Sequence, residues 1–171
     1  IVEYLESKTR EFLSDYKPQD SDKKPRPRLM LTGCPHTGVR EKIIKKVEDL
    51  GADIVVLDSC AGPRTQRIPI DETKDPYEAL AEKYLKINCS VMTPNNGRLK
   101  DMKAVIEEYK VDGVIEMVLF ACHTFAIEAH TTERFIKDEL NIPYIRIDTD
   151  FSSSDSGQIQ TRLEAFLEMI S

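Results

Sequence analysis

Apolar and polar positions alternate in blocks along this chain. Over residues 1–15, Ile1, Val2, Leu5, Phe12 and Leu13 stand among charged neighbours, which predicts a helix with one apolar stripe. Residues 17–28, KPQDSDKKPRPR, hold three prolines and no large apolar side chain, which predicts a linker or exposed loop. From Arg28 onward, short apolar runs alternate with amphipathic stretches. Leu29–Leu31, Ile54–Leu57, the run VIEMVLF at 114–120 and Tyr144–Ile147 predict strands. Stretches at 39–50, 76–87, 98–110, 125–140 and about 156–170 predict helices. Val39, Ile43, Ile44, Val47 and Leu50 share one face of the first, and Gly51 ends it. Pro76 opens the second at a position where proline is tolerated. Leu99, Met102, Val105 and Ile106 are expected to face inward from the third. A polar loop through about Asp75 and a turn-rich loop at 88–97 fill the gaps.

Strands that alternate with helices predict parallel strands joined by right-handed crossovers. The expected fold class is α/β: a three-layer sandwich around a small parallel four-stranded sheet, flavodoxin- or Rossmann-like, in order 2-1-3-4. The expected organisation is a helix and proline-rich inter-domain linker over 1–27, then an α/β domain over 28–171.

Charge narrows the function classes. Lys and Arg number 24 against 30 Asp and Glu, a formal net charge of -6, which argues against a general nucleic-acid binder. The 40% hydrophobic and 32% charged content excludes a disordered chain. No uncharged apolar run reaches the ~20 residues of a membrane span. The first residues, IVEYLESKTREF, are amphipathic and charged, unlike a secretory signal. The chain starts at Ile1 rather than an initiator methionine, so a fragment of a longer protein is expected.

The four cysteines carry the candidate chemistry. Cys34, Cys60 and Cys122 each follow a predicted strand, and open parallel sheets bind ligands beyond the C-terminal strand ends. Cys89 lies in the loop after a helix. The spacings of 26, 29 and 33 residues match no zinc knuckle or ferredoxin run. A domain of this size that reads as intracellular has no need of disulfides. One cysteine per loop suits an iron–sulfur cluster at the sheet edge, or a site completed by another domain. Small buried core thiols, or a redox pair, stay open as alternatives. His36, His123 and His130 have no metal-helix spacing, and Gly33–Gly38 lacks a phosphate-loop ending. The serines of DTDFSSSDSG precede a helix N-terminus, which suits an anion or serves as an ordinary cap.

Five stretches then match something specific: LTGCP (31–35), DSCAG (58–62), DPYEALAEKYLKINCSVMTPN (75–95), YKVDGVIEMVLFACHTF (109–125) and RIDTDFSSSDSGQIQTRLEAFLEM (146–169). On these the chain resembles the 2-hydroxyacyl-CoA dehydratase family. That family includes 2-hydroxyglutaryl-CoA dehydratase D-components, benzoyl-CoA reductase subunits and double-cubane cluster proteins. The resemblance implies two similar α/β domains with an iron–sulfur site between them, this chain being the C-terminal one. It implies a [4Fe–4S] cluster with Cys122 as a ligand, or a double-cubane cluster using Cys60, Cys89 and Cys122. Cys34 ranks behind them. Ser152 and Ser153 are implied as hydrogen-bond donors to cluster or substrate. The implied partners are the N-terminal domain, an ATP-hydrolysing iron–sulfur activator, a second homologous subunit or copy, and an acyl-CoA. The implied reaction is cytoplasmic and anaerobic: one low-potential electron makes a ketyl radical of the thioester, which expels a hydroxyl. A double-cubane reductase of small molecules, and a non-catalytic α/β interaction module, are the alternatives.

Overall fold

The structure is a computed structural model that describes residues 1–15, 25–36, 38–59 and 62–170. Strands β1 (Arg28–Gly33), β2 (Asp53–Asp58), β3 (Gly113–Leu119) and β4 (Tyr144–Thr149) form one parallel sheet in order β2-β1-β3-β4, as the alternation predicts. The two central strands are buried almost throughout, whereas β2 and β4 keep partly exposed positions. That is why β1 and β3 read as nearly unbroken apolar runs.

Successive side chains of a strand point to opposite faces, and here each face has its own helices. Leu29, Leu31, Ile115, Met117 and Ile147 pack with Val39, Ile43 and Val47 and with Ile159, Leu163, Phe166 and Leu167. Of the first set, Val39 caps a π-helical segment, Arg40–Ile44, that holds Ile43 and runs into helix α2 (Lys45–Asp49), which carries Val47. The second set lies on the C-terminal helix, which is α7 (Ser156–Ile170) in chain order. On the other face, Met30, Val56, Val114 and Tyr144 pack with Met102, Val105, Ile106 and Ile136. These come from α5 (Asn96–Tyr109) and from a π-helical end, Phe135–Glu139, that continues α6 (His123–Arg134).

Several elements depart from the pattern in instructive ways. The expected polar loop after β2 contains a short helix, α3 (Pro63–Gln66), before α4 (Pro76–Leu85). Asp75 caps α4 by accepting from the backbone of Tyr77 and Glu78. β3 stops at Leu119, so Phe120 is an exposed turn residue rather than a strand end. On α5, Leu99 is only half-buried, while Arg98 is completely enclosed. The first helix, α1 (Val2–Asp15), buries none of its residues, so its apolar stripe is exposed. Residues 17–24 of the expected linker lie outside the described residues; Arg26, near its end, donates to the Glu48 and Ala52 carbonyls. Among the described residues, no helix is long and apolar enough to cross a membrane.

Gly33 ends β1 at φ 107, where a β-carbon would stand 2.0 Å from the Met117 carbonyl oxygen. That carbonyl accepts from the Cys34 amide at 2.8 Å, so backbone rather than side chain fills the space. Gly51 also has positive φ, but nothing lies within 4 Å of its β-carbon position. Gly33→Ala is expected to cost about 4 kcal/mol and Gly51→Ala about 1 kcal/mol, read from urea unfolding midpoints. Equal costs would mean that φ alone, not the approach to β3, sets the penalty.

Candidate functional site

The C-terminal strand ends gather the loops that the sequence singles out. Cys34 leaves β1 with 1% of its surface exposed. Its Sγ accepts from the Leu119 amide at 3.3 Å. Cys122, half-buried, donates its amide to the Leu119 carbonyl at 3.0 Å and stands at the N-cap of α6. The preceding Ala121 has φ 63, a left-handed turn that swings the chain from β3 into the helix. One residue, Leu119, thus holds both cysteines at the end of β3, and both join the same apolar cluster. Burial pushes the Cys34 thiol up to about 11; the adjoining Cys122 thiol adds to this, and the Leu119 amide opposes it. Cys34 therefore stays protonated and shielded at neutral pH. Cys122 is the accessible thiol of the pair.

Cys89 lies in the loop between α4 and α5, where its carbonyl accepts from Met92 and from the Asn95 side chain. Asn95 also donates to Glu128 at 3.1 Å, which ties that loop to α6. Cys60 lies outside the described residues. His36 is half-buried, and burial lowers its imidazole below the usual range against the pull of Asp58. His123 and His130 are exposed. Among the described residues, no three His, Cys, Asp or Glu side chains come close enough to hold a metal ion. The half-buried Cys122 thiol, at a helix N-terminus beyond a strand end, fits one ligand of an iron–sulfur site at this edge.

The loop from β4 to α7 presents the serines. Ser152 and Ser154 hydroxyls lie 2.8 Å apart, and the Ser152 amide donates to Asp150 Oδ1 at 2.7 Å. The Ser153 carbonyl accepts from Ser156 at the start of α7. Ser152 and Ser153 are both exposed, so their side chains face outward from the edge. Phe120 and Phe151, 61% and 65% exposed, give the same edge an apolar rim.

Behind the edge lies a buried polar row that the sequence reading missed. Register sets Thr32 of β1 beside Asp58 of β2 and Glu116 of β3. Thr32 donates to Asp58 at 2.6 Å, and Arg64 of α3 pairs with Asp58 at 2.5 Å. Arg98 reaches in from α5 to Thr32, Glu116, Thr132 and Glu128, and lies 5.7 Å from the centre of the Phe125 ring. Tyr144 donates to Glu116 at 2.9 Å. Burial works against the Asp58 charge, but Arg64 and Thr32 hold its carboxyl below the usual range. Glu116 shifts the other way, because burial outweighs the shared guanidinium of Arg98 at 3.3 Å. One signal was available: a glutamate inside VIEMVLF, the run of a central strand, demands a buried cation.

Fold and edge together define an α/β domain whose chemistry-bearing groups, thiol and hydroxyl, sit beyond the strand ends. The comparison with known proteins agrees with that class and sharpens it. The family model described as 2-hydroxyglutaryl-CoA dehydratase, D-component, matches residues 1–170. The chain belongs to this family of dehydratase subunits. It is 47% identical over 146 residues to "Putative dehydratase subunit YjiM" of Escherichia coli (strain K12), covering 85% of this chain and 38% of that protein. It is 26% identical over 166 residues to the (R)-phenyllactyl-CoA dehydratase beta subunit of Clostridium sporogenes, covering 95% of this chain and 43% of that protein. The chain thus spans about two fifths of the length of these relatives.

Two outcomes follow from burial and charge. Brief treatment with iodoacetamide at pH 8 is expected to label Cys122 at least about tenfold faster than Cys34, read by peptide mass spectrometry. Faster labelling of Cys34 would contradict its enclosure. Because the folded state raises the Glu116 carboxyl, it costs stability as pH climbs above the unfolded value of about 4.3. Relative to the parent, Glu116→Gln should therefore gain ground between pH 5 and pH 8 in urea unfolding. A difference independent of pH would show that Glu116 is ionised throughout that range.

Proposed function

We propose that this chain is the part of a 2-hydroxyacyl-CoA dehydratase-type subunit that supplies Cys122 to an iron–sulfur cluster shared with another domain. The family membership and the similarity to the phenyllactyl-CoA dehydratase subunit support this reading. The observation that carries it is the placement of Cys122. It is the accessible thiol at the end of a central strand, at the N-terminus of a twelve-residue helix. The free N–H groups of that helix end favour an anionic group beside it, such as a thiolate-ligated cluster. A cluster held there supplies one-electron transfer at low potential.

The other residues of the edge take supporting roles. Ser152 and Ser153 offer hydroxyls to the cluster sulfurs or to the acyl-CoA. The exposed Phe120 and Phe151 supply apolar surface for a covering domain, which excludes water from the site. Cys34, buried and protonated, packs behind Cys122 rather than ligating. An ATP-hydrolysing activator delivers the electron, and the acyl-CoA loses its hydroxyl. The match to the dehydratase family model and to a phenyllactyl-CoA dehydratase subunit favours the dehydratase branch over a double-cubane reductase, whose site would draw Cys60, Cys89 and Cys122 together.

The test uses the full-length protein, reconstituted with iron and sulfide without oxygen. Cys122→Ser is expected to lose most of the iron and the brown absorption, while Cys34→Ser and Cys89→Ser keep them. Equal losses in all three variants would overturn the single-ligand reading.

A further inference from the structure

Lys42 is a buried lysine with no part in the reading above. It lies in the π-helical segment Arg40–Ile44, with 7% of its side chain exposed. Its Nζ stands 2.7 Å from Thr149 Oγ1, 2.9 Å from the Asp150 carbonyl, 2.6 Å from the Ser152 carbonyl and 2.5 Å from Asp155 Oδ1. Thr149 in turn donates to Asp155 Oδ2 at 2.6 Å. An ammonium has three N–H bonds, yet four oxygens crowd within 2.9 Å of this one. They hold it as oxygens hold a monovalent cation, by charge as well as by directed hydrogen bonds.

We propose that Lys42 is the positioning residue of the β4–α7 loop. Its ammonium fills a cation cage built by Thr149, Asp150, Ser152 and Asp155, and so sets where Ser152 and Ser153 stand at the strand edge. The charge balance fits: Asp155 neutralises the ammonium at contact, and Asp150 Oδ1 adds a weaker pull from 3.9 Å. A simple ion pair would need Asp155 alone. The two carbonyls are what hold the loop backbone, and one of them belongs to Ser152 itself. The donor comes from the crossover that follows Cys34, so the loops after β1 and β4 are tied together through one side chain. The loop-positioning role stands on this geometry. Its value to the reaction rests on the proposed use of the two serines.

The test is replacement of the tethered cation by a free one. Lys42→Ala in the full chain is expected to raise hydrogen exchange over residues 149–156 at least about tenfold, with β1 and β3 unchanged. Ammonium chloride should restore the protection where sodium chloride of equal ionic strength does not. Lys42→Met, which fills the cage with an apolar stem, should not be restored. Should Lys42→Ala fail to fold, Lys42→Gln, neutral but still a donor, carries the same comparison. Unchanged exchange, or a loss that ammonium leaves in place, overturns the proposal. In the cluster-loaded full-length protein, Lys42→Ala should keep its iron but shift the midpoint potential as Ser152→Ala with Ser153→Ala does, and ammonium should reverse the shift. Restored loop protection with an unmoved potential in every variant would leave the cage intact and sink the proposed role of the serines instead.

Discussion

The guanidinium of Arg98 has no exposed surface, and it sits where four elements meet. It is carried by α5 and bonds to β1 through Thr32, to β3 through Glu116 and to α6 through Glu128 and Thr132. A charge so enclosed is tolerated only when every neighbour is arranged to meet it, and removing one partner of such a pair costs about 3–5 kcal/mol. The C-terminal half of this sheet face is therefore not interchangeable apolar packing. It is one connected polar row running from Arg64 and Asp58 through Thr32 and Arg98 to Glu116 and Tyr144. The row fixes the distances between the strand ends on which the candidate site stands.

The opposite face uses a second buried cation for a different purpose. Lys42 bonds outward, to a loop, whereas Arg98 bonds inward, between packed elements. The face packed by α5 is apolar toward the N-terminal ends of its strands and polar toward their C-terminal ends, where Thr32, Asp58 and Glu116 stand. That gradient puts rigid apolar packing beneath the edge and directed hydrogen bonds directly behind it. Directed bonds hold a loop in one place, where apolar contacts allow it to slide. The edge itself, with Cys122, Ser152 and two exposed phenylalanines, then projects from a supported base.

The cysteines show how position and role separate. By position alone, Cys34 and Cys122 look alike, since each follows a strand. In the fold they are neighbours in one apolar cluster but differ in access: Cys34 is sealed and Cys122 half-open. The difference comes from Gly33 and Ala121. The close pass of Gly33 over Met117 turns Cys34 inward, and the left-handed turn at Ala121 lifts Cys122 to the helix end. Two cysteines in equivalent loops thus become a packing thiol and a candidate ligand.

Strand and helix alternation was carried by the chain itself, in the 2- and 3.6-residue periods of its apolar side chains. That alternation implied parallel strands joined by right-handed crossovers, and the flavodoxin-like order 2-1-3-4 rested on analogy with such folds and matches the sheet. The stretches around Cys34, Cys89, Cys122 and the serine loop were legible by their resemblance to a known family, not by period. The tertiary structure alone decided what those residues meet. Nothing in the local pattern of α5 marks Arg98 as buried, because its partners lie 18 to 66 residues away and converge only through strand register. Lys42 looks like any exposed helical lysine until residues 107 to 113 positions further on, Thr149 to Asp155, fold over it. Local sequence records which side chains avoid water; where the remaining charges find their partners depends on contacts that only the closed sheet creates.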